Sequence, residues 1–172
     1  DKGMVGTALR VMVIGIPNTG KSSFINKMAG RVRAKVADRP GVTTSNQWFF
    51  IGNGIELLDT PGVLWPKFDD PVVGDRLAFI GSVKDAVLDA ETMAVRLIDV
   101  LREGYPERLA ERYKLTDFEK LQSWEILEMI GRKRGMLISG GEVNTERASV
   151  MLLDEYRGGK LGKITMEFPP LT

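Results

Sequence analysis

Gly15-Ile-Pro-Asn-Thr-Gly-Lys-Ser22 is the stretch whose residue types and spacing carry the most chemistry. It fits G-x-x-x-x-G-K-S, in which glycine lets the backbone bend close to a polyphosphate where a Cβ would clash. In such a loop the amides turn toward phosphate oxygens. Lys21 reaches the β- and γ-phosphates, and Ser22 offers a hydroxyl to Mg²⁺. The plain alternative is a βα turn that happens to contain Gly-Lys-Ser, and the flanks weigh against it. Ala8 to Ile14 is a nearly continuous apolar run, suited to a parallel strand buried on both faces. Lys21 to Ala29 sets Phe24, Ile25 and Met28 on one side of a helix, with Gly30 placed to end it.

A second motif strengthens the first. Asp59-Thr-Pro-Gly62 fits D-x-x-G at a strand end, where Asp59 holds Mg²⁺ directly or through water and the Gly62 amide bonds the γ-phosphate. Alone, D-x-x-G is most often just a turn; after a phosphate loop and a hairpin it becomes specific. Thr43 or Thr44, in the intervening loop, supplies a second hydroxyl for Mg²⁺, against the plain reading of a simple loop residue. Lys21 and Gly62 are thus the candidate catalytic groups at the γ-phosphate. Where many GTPases carry a water-orienting glutamine just past D-x-x-G, this chain has Val63 and Leu64, which cannot position water by hydrogen bonding. Hydrolysis then needs another device, such as a monovalent cation, K⁺ for instance. Asn18 either ligates that cation or simply shapes the loop.

One part is missing. Guanine recognition needs an Asn/Thr-Lys-x-Asp segment, and the only Asn-Lys, Asn26-Lys27, lies inside the first helix and is followed by Met28-Ala29. From its own residues the chain supports phosphate and Mg²⁺ binding but not base choice.

The 172 residues are enough for one medium domain or two small ones. With 24 Lys plus Arg against 23 Asp plus Glu, the net charge of +1 argues neither for nor against nucleic acid. The chain has no cysteine and no histidine, which excludes disulfides, thiolate metal sites, histidine bases and His-ligated zinc from it. No apolar run approaches membrane-spanning length and no signal peptide opens the chain, so a cytoplasmic setting without membrane contact is expected.

In chain order, Arg31 to Asn46 reads as a long mobile loop. Gln47 to Ile51 and Ile55 to Asp59 read as strands joined at Gly52-Asn53-Gly54, because Asn-Gly between apolar runs tolerates positive φ at both turn positions. Leu64 to Asp70 is loop-like, broken by Pro66. Beyond Pro71 helical periods take over. Ala90 to Glu103 sets Met93, Leu97 and Leu101 on one face, with Asp89 as N-cap. Thr116-Asp-Phe-Glu119 has capping-box form, and Trp124, Leu127 and Ile130 continue that apolar side unless Ser123 restarts the helix. Asn144 or Thr145 caps a last helix carrying Ala148, Met151, Leu152 and Tyr156, and Gly158-Gly159 closes it. Ile164 to Phe168 alternates like a short strand. The expected architecture is α/β: residues 1–70 as a partial P-loop region of Rossmann-like, three-layer type, and residues 71–172 as an all-helical C-terminal domain.

Gly15-Ile-Pro-Asn-Thr-Gly-Lys-Ser-Ser-Phe-Ile-Asn26, Asp38-Arg-Pro-Gly-Val-Thr-Thr-Ser45 and Leu57-Leu-Asp-Thr-Pro-Gly-Val-Leu-Trp-Pro-Lys-Phe-Asp69 together resemble the bacterial ribosome biogenesis GTPase A family (RbgA/YlqF). Tyr105 to Leu109 and Ile130 to Gly135 extend the likeness over essentially the whole chain. The family is circularly permuted, its base-recognition segments preceding the P-loop. The resemblance therefore implies a C-terminal part of a longer protein, and its members act as GTPases late in large ribosomal subunit assembly. Carried over by position, Gly15, Asn18, Thr19, Gly20, Lys21, Ser22, Ser23 and Gly62 would touch GTP or GDP, while Ser22, Thr43 and Asp59 would hold Mg²⁺. Without the preceding strands, one edge of the P-loop strand would be unpaired and its apolar faces partly uncovered, which implies weak nucleotide affinity and self-association. Two basic groups, Arg31, Arg33, Lys35 and Arg39 in the loop and Arg132, Lys133, Arg134, Arg147, Arg157, Lys160 and Lys163 in the helical region, either contact ribosomal RNA or only complement helix dipoles and solvate a face. Trp48, Trp65 and Trp124 are expected in core or hinge packing. The competing function is an RNA-binding scaffold with an idle nucleotide site; an ATP-using kinase is disfavoured by D-T-P-G and by the lack of a lid-like arginine cluster.

Overall fold

A computed structural model describes residues 8–30, 43–65, 67–83 and 89–167. The chain divides into two compact units. One comprises Asp1–Asp69 with Gly81–Lys84, the other Asp70–Ile80 with Asp85–Thr172.

The first unit is built on a three-stranded sheet in the order β1-β3-β2. Strand β1 (Leu9–Val13) pairs in parallel with β3 (Ile55–Asp59), from Leu9 opposite Ile55 to Val13 opposite Asp59. Parallel pairing needs a crossover, and helix α1 (Lys21–Met28) lies on that path. Strand β2 (Gln47–Gly52) pairs antiparallel with the other side of β3. Their turn is the expected one: Asn53 at φ 50° and Gly54 at φ 70° both take the positive values that a tight two-residue hairpin demands. The register puts the carboxylate of Asp59 level with the end of β1, where the chain turns into the phosphate loop.

Three expectations are corrected here. Strand β1 is not buried on both faces. Among the described residues it is an edge strand, as the resemblance implied, and Leu9, Met12 and Ile14 are 61%, 58% and 70% exposed. Of the three apolar residues expected on one side of α1, Ile25 is fully buried while Phe24 and Met28 are exposed. The described residues of this unit supply one helix, so they form two layers rather than three; a doubly covered sheet needs further crossover helices.

The second unit carries α2 (Pro71–Phe79), α3 (Ala90–Gly104), α4 (Pro106–Tyr113), α5 (Ser123–Lys133) and α6 (Thr145–Arg157). Caps explain most of the starts. Asp70 accepts from the Val72 amide at 2.8 Å, Asp89 from the Thr92 amide at 3.1 Å, and Asn144 from the Arg147 amide at 2.8 Å. Leu97, Ile98, Leu101, Leu109, Ile126, Ile130 and Leu152 are fully buried in one cluster. The capping box expected at Thr116–Glu119 does not start a helix. The helix begins at Ser123, where Glu125 Oε2 accepts from the Gln122 amide at 2.7 Å. Residues 164–167 are not a strand: both backbone polar groups of Thr165 are taken by the Tyr105 hydroxyl, each at 2.9 Å. An isolated antiparallel bridge joins Leu137 and Val143 in the α5–α6 connection. Among the described residues no helix is long and apolar enough to cross a membrane.

Candidate functional site

Strand β1 ends at Val13 and delivers the chain into the loop Gly15 to Gly20. Gly20 sits at φ 82° immediately before α1, a left-handed conformation that costs glycine nothing. Asn18, at φ 59°, is the loop's non-glycine residue in that region. Helix α1 then starts with Lys21, Ser22 and Ser23, its amide end directed back at the loop and no acidic residue in its first turn. That end carries partial positive charge and suits an anion.

The side chains converge. Ser22 Oγ donates to Asp59 Oδ2 at 2.8 Å, bridging the helix start and the end of β3. Thr43 Oγ1 lies 3.1 Å from Ser22 Oγ and 3.4 Å from Asp59 Oδ2. Ser22 and Thr43 each have one hydroxyl proton, and both hydroxyls lie within reach of the same carboxylate oxygen. Asp59 is only 2% exposed, and its Oδ1 has no hydrogen-bond partner among the described residues. A buried carboxylate oxygen left unsatisfied is costly, and such an atom points to a missing ligand.

Within the loop, Ile16's carbonyl is the internal acceptor. Lys21 Nζ donates to it at 2.7 Å and Thr19 Oγ1 at 2.9 Å. Partial burial pushes the Lys21 ammonium below its ordinary value, and the nearby Asp59 carboxylate opposes that shift. The D-x-x-G turn lies against the loop: the Val63 amide donates to Gly15's carbonyl at 3.4 Å, and a Cβ on Gly62 would fall 2.4 Å from Pro17 N and 2.5 Å from Pro17 Cα. Gly62 is therefore a close-approach glycine. Thr60 Oγ1 ties the same turn to Val13's carbonyl at 2.8 Å. A cleft of about 570 Å³ runs along Ile14, Gly15, Ile16, Asn46, Thr60, Pro61 and Val63.

The structure thus brings Gly15, Thr19, Lys21, Ser22, Thr43, Asp59 and Gly62 together, with Asn18, Gly20 and Ser23 in the same loop and helix start. Val63, where a glutamine would orient water, is 73% exposed. Sequence reasoning missed Asn46, Thr60 and Ser82. Thr60 had a signal, being inside D-x-x-G; Ser82 had none.

Elsewhere the outcome is mixed. Trp48, Trp65 and Trp124 are 51%, 67% and 54% exposed, so none of them packs in a core. Trp48 lies under the Arg10 guanidinium at 5.3 Å instead, on a sheet face with little to cover it. Of the C-terminal basic group, Arg157 donates to the carbonyls of Phe79 and Ala78, and Arg134 and Lys160 face Glu155. Arg132, Lys133, Arg147 and Lys163 are exposed. Arg31, Arg33, Lys35 and Arg39 lie outside the described residues.

The comparisons agree with this geometry. Residues 10–130 match the family described as 50S ribosome-binding GTPase. The chain is 48% identical to ribosome biogenesis GTPase A of Bacillus cereus over 98% of its own length and 56% of that protein's. With the Bacillus pumilus protein of the same name the figures are 47%, 98% and 59%. The chain thus spans a little under three fifths of the length of these relatives. Among solved structures it resembles GDP-bound TM YlqF (30% identity, TM-score 0.67, 94% of this chain and 61% of that one). It also resembles GNP-bound YlqF from T. maritima (31% identity, TM-score 0.55, 89% and 56%). The chain therefore has a P-loop GTPase fold of mixed α/β content and belongs to the 50S ribosome-binding GTPase family, where its likeness is to the ribosome biogenesis GTPase A proteins.

Proposed function

We propose that this chain is the phosphate- and metal-binding part of a GTP-hydrolysing switch that assists assembly of the large ribosomal subunit in the cytoplasm. The observation that carries the reading is the convergence of Ser22, Thr43 and Asp59 within 3.4 Å beside the loop. Among the described residues no group of three or more carboxylates is placed to hold a metal ion alone. One carboxylate and two hydroxyls fit Mg²⁺, which keeps its waters and binds through one or two carboxylates together with substrate phosphates. Bound there, Mg²⁺ would neutralise charge developing on the β- and γ-phosphate oxygens. Its affinity would follow the nucleotide's, since the protein supplies only part of the shell.

The chain's own residues do the rest. Gly15, Asn18, Thr19, Gly20, Ser22 and Ser23 line the phosphate side, and Lys21 exchanges Ile16's carbonyl for phosphate oxygens. The Gly62 amide reads the γ-phosphate, so loss of that group frees the turn after Asp59. Val63 leaves water activation to another group, K⁺ held near Asn18 being one. Residues 1–70 form the nucleotide region and residues 71–172 a helical domain. The exposed Arg132, Lys133, Arg147 and Lys163 offer ribosomal RNA a basic surface. Base choice belongs to a segment preceding the P-loop in the longer protein.

Titration calorimetry with GTP and GDP tests the reading. Lys21→Ala should abolish binding at Mg²⁺ saturation, and Asp59→Asn should weaken the Mg²⁺ dependence while leaving metal-free binding nearly intact. Lys21→Ala binding as tightly as the unaltered chain would sink it.

A further inference from the structure

Ser82 belongs to neither motif, yet it touches the phosphate loop. It is 1% exposed, and its hydroxyl donates to the carbonyl of Pro17 at 2.7 Å. It lies just past α2, at the point where the chain re-enters the first unit. Resting on the site reading above, we propose that Ser82 is a positioning residue for nucleotide binding, holding the Pro17–Asn18 peptide in the orientation the loop needs.

The argument is geometric. The peptide is trans, so its C=O and N–H point to opposite sides. Fixing Pro17's carbonyl on Ser82 turns the Asn18 amide away from Ser82. Proline's ring fixes φ at residue 17, leaving its ψ and Asn18's φ to rotate this plane. Asn18 is in the left-handed region at φ 59°, which asparagine enters more readily than other non-glycine residues, and the bond from Ser82 adds to what keeps the adjoining peptide in that orientation. A Cβ on Gly62 would fall against Pro17's nitrogen and Cα, so that close approach supplies no donor to Pro17's oxygen. Ser82 has a single proton, and it is spent on that carbonyl. Without the hydroxyl, the peptide loses the bond that selects its orientation. The loop amides serve the β-phosphate, which GDP and GTP share, so both nucleotides should respond alike.

The test compares Ser82→Ala and Ser82→Thr with the unaltered chain by calorimetry with GDP and with GTP, and by the ¹⁵N–¹H resonance of Asn18 without nucleotide. Ser82→Ala should weaken both nucleotides about tenfold and equally, and should displace or broaden the Asn18 resonance. Ser82→Thr, which keeps the hydroxyl, should recover both to within about threefold. A lowered melting temperature with both affinities and the Asn18 resonance unchanged would overturn the proposal and leave Ser82 a packing residue. A loss confined to GTP would also overturn it. If Lys21→Ala left the affinity for both nucleotides undiminished, the site reading would fail, while the Asn18 resonance would still decide the part assigned to Ser82.

Discussion

The two units of this chain bury apolar surface very differently. In the second, α3, α5 and α6 close around Leu97, Ile98, Leu101, Ile126, Ile130 and Leu152, all with no exposure. In the first, Ile25 and Leu57 are the buried apolar side chains among the described residues, while Leu9, Met12, Ile14, Phe24, Trp48, Phe50 and Trp65 are each more than half exposed. Both use the same apolar vocabulary. The difference is that a helix needs a stripe covered, whereas a central strand needs both faces and both edges covered. The helical unit satisfies its own demand, and the sheet unit holds its loops to the strand ends by polar ties: Ser22 to Asp59, Thr60 to Val13, Ser82 to Pro17.

The largest expected effect tests that contrast directly. Leu97→Ala should destabilise the helical unit by about 2–5 kcal/mol, the range for deleting buried methyl groups without collapse of the cavity. Met12→Ala in β1 should cost about 0.5 kcal/mol or less, because the residue is already more than half exposed. Urea unfolding followed by far-ultraviolet circular dichroism distinguishes them. Equal costs would mean that the sheet is covered as well as the helices.

Glu155 shows how the helical unit handles charge. Its carboxylate accepts from Arg112 at 2.9 and 2.6 Å and from Arg134 at 3.3 and 3.4 Å, with Lys160 Nζ at 3.9 Å. Hydrogen bonding to Arg112 holds its pKa below the ordinary 4.5, against the opposing effect of burial. Burial, with the same carboxylate nearby, pushes the Tyr113 hydroxyl well above its usual range. A depressed carboxylate stabilises the fold fully above its unfolded pKa, and that contribution is lost as pH falls through the folded one. Glu155→Gln should therefore cost about 2 kcal/mol at neutral pH. The gap to the unaltered chain should close as pH drops below 4.5. A gap independent of pH would show packing rather than charge at work.

Two glycines sharpen the comparison further. A Cβ on Gly131 in α5 would fall 2.4 Å from Val143 Cγ1, a side-chain atom that can rotate away. A Cβ on Gly62 meets the backbone of Pro17, which cannot move without carrying the phosphate loop with it. Gly131→Ala should lower stability by about 1–3 kcal/mol and leave GTP affinity alone. Gly62→Ala should weaken GTP at least about tenfold with little change in the helical unit. Calorimetry and thermal melts on the same pair of variants check both halves.

Much of this was legible in the residues. The Asn53-Gly54 hairpin, the Asp89 and Asn144 caps and the pairing of the phosphate loop with Asp59 each follow from local spacing. What was not legible came from partners distant in sequence. Nothing near Ser82 announces that it will meet Pro17. The apolar run of β1 alone reads as a buried strand, because hydropathy reports what a residue prefers, not whether neighbours arrive to cover it; its uncovered faces follow only from the family resemblance. The spacing of Thr116 and Glu119 suggests an earlier start, with Ser123 left open as a restart; the helix takes Ser123, and Leu115 and Phe118 ahead of it are buried in the core. The three tryptophans were misplaced for the same reason as β1.

The smallest effect on stability should accompany the largest on association. Among the described residues β1 has an open edge beside Leu9, Met12 and Ile14, and an uncovered apolar edge invites another strand. The isolated chain should therefore show a mass that rises with concentration in sedimentation equilibrium. A lysine on that surface is a common way to block edge pairing. Met12→Lys should keep the chain monomeric while shifting the unfolding midpoint by no more than about 0.5 kcal/mol in free energy. If the unaltered chain stays monomeric at every concentration, exposure of β1 has no consequence for assembly. If Met12→Lys unfolds the sheet instead, that face is packed more closely than its exposure indicates. Either result would place the difference between the two units somewhere other than in apolar coverage.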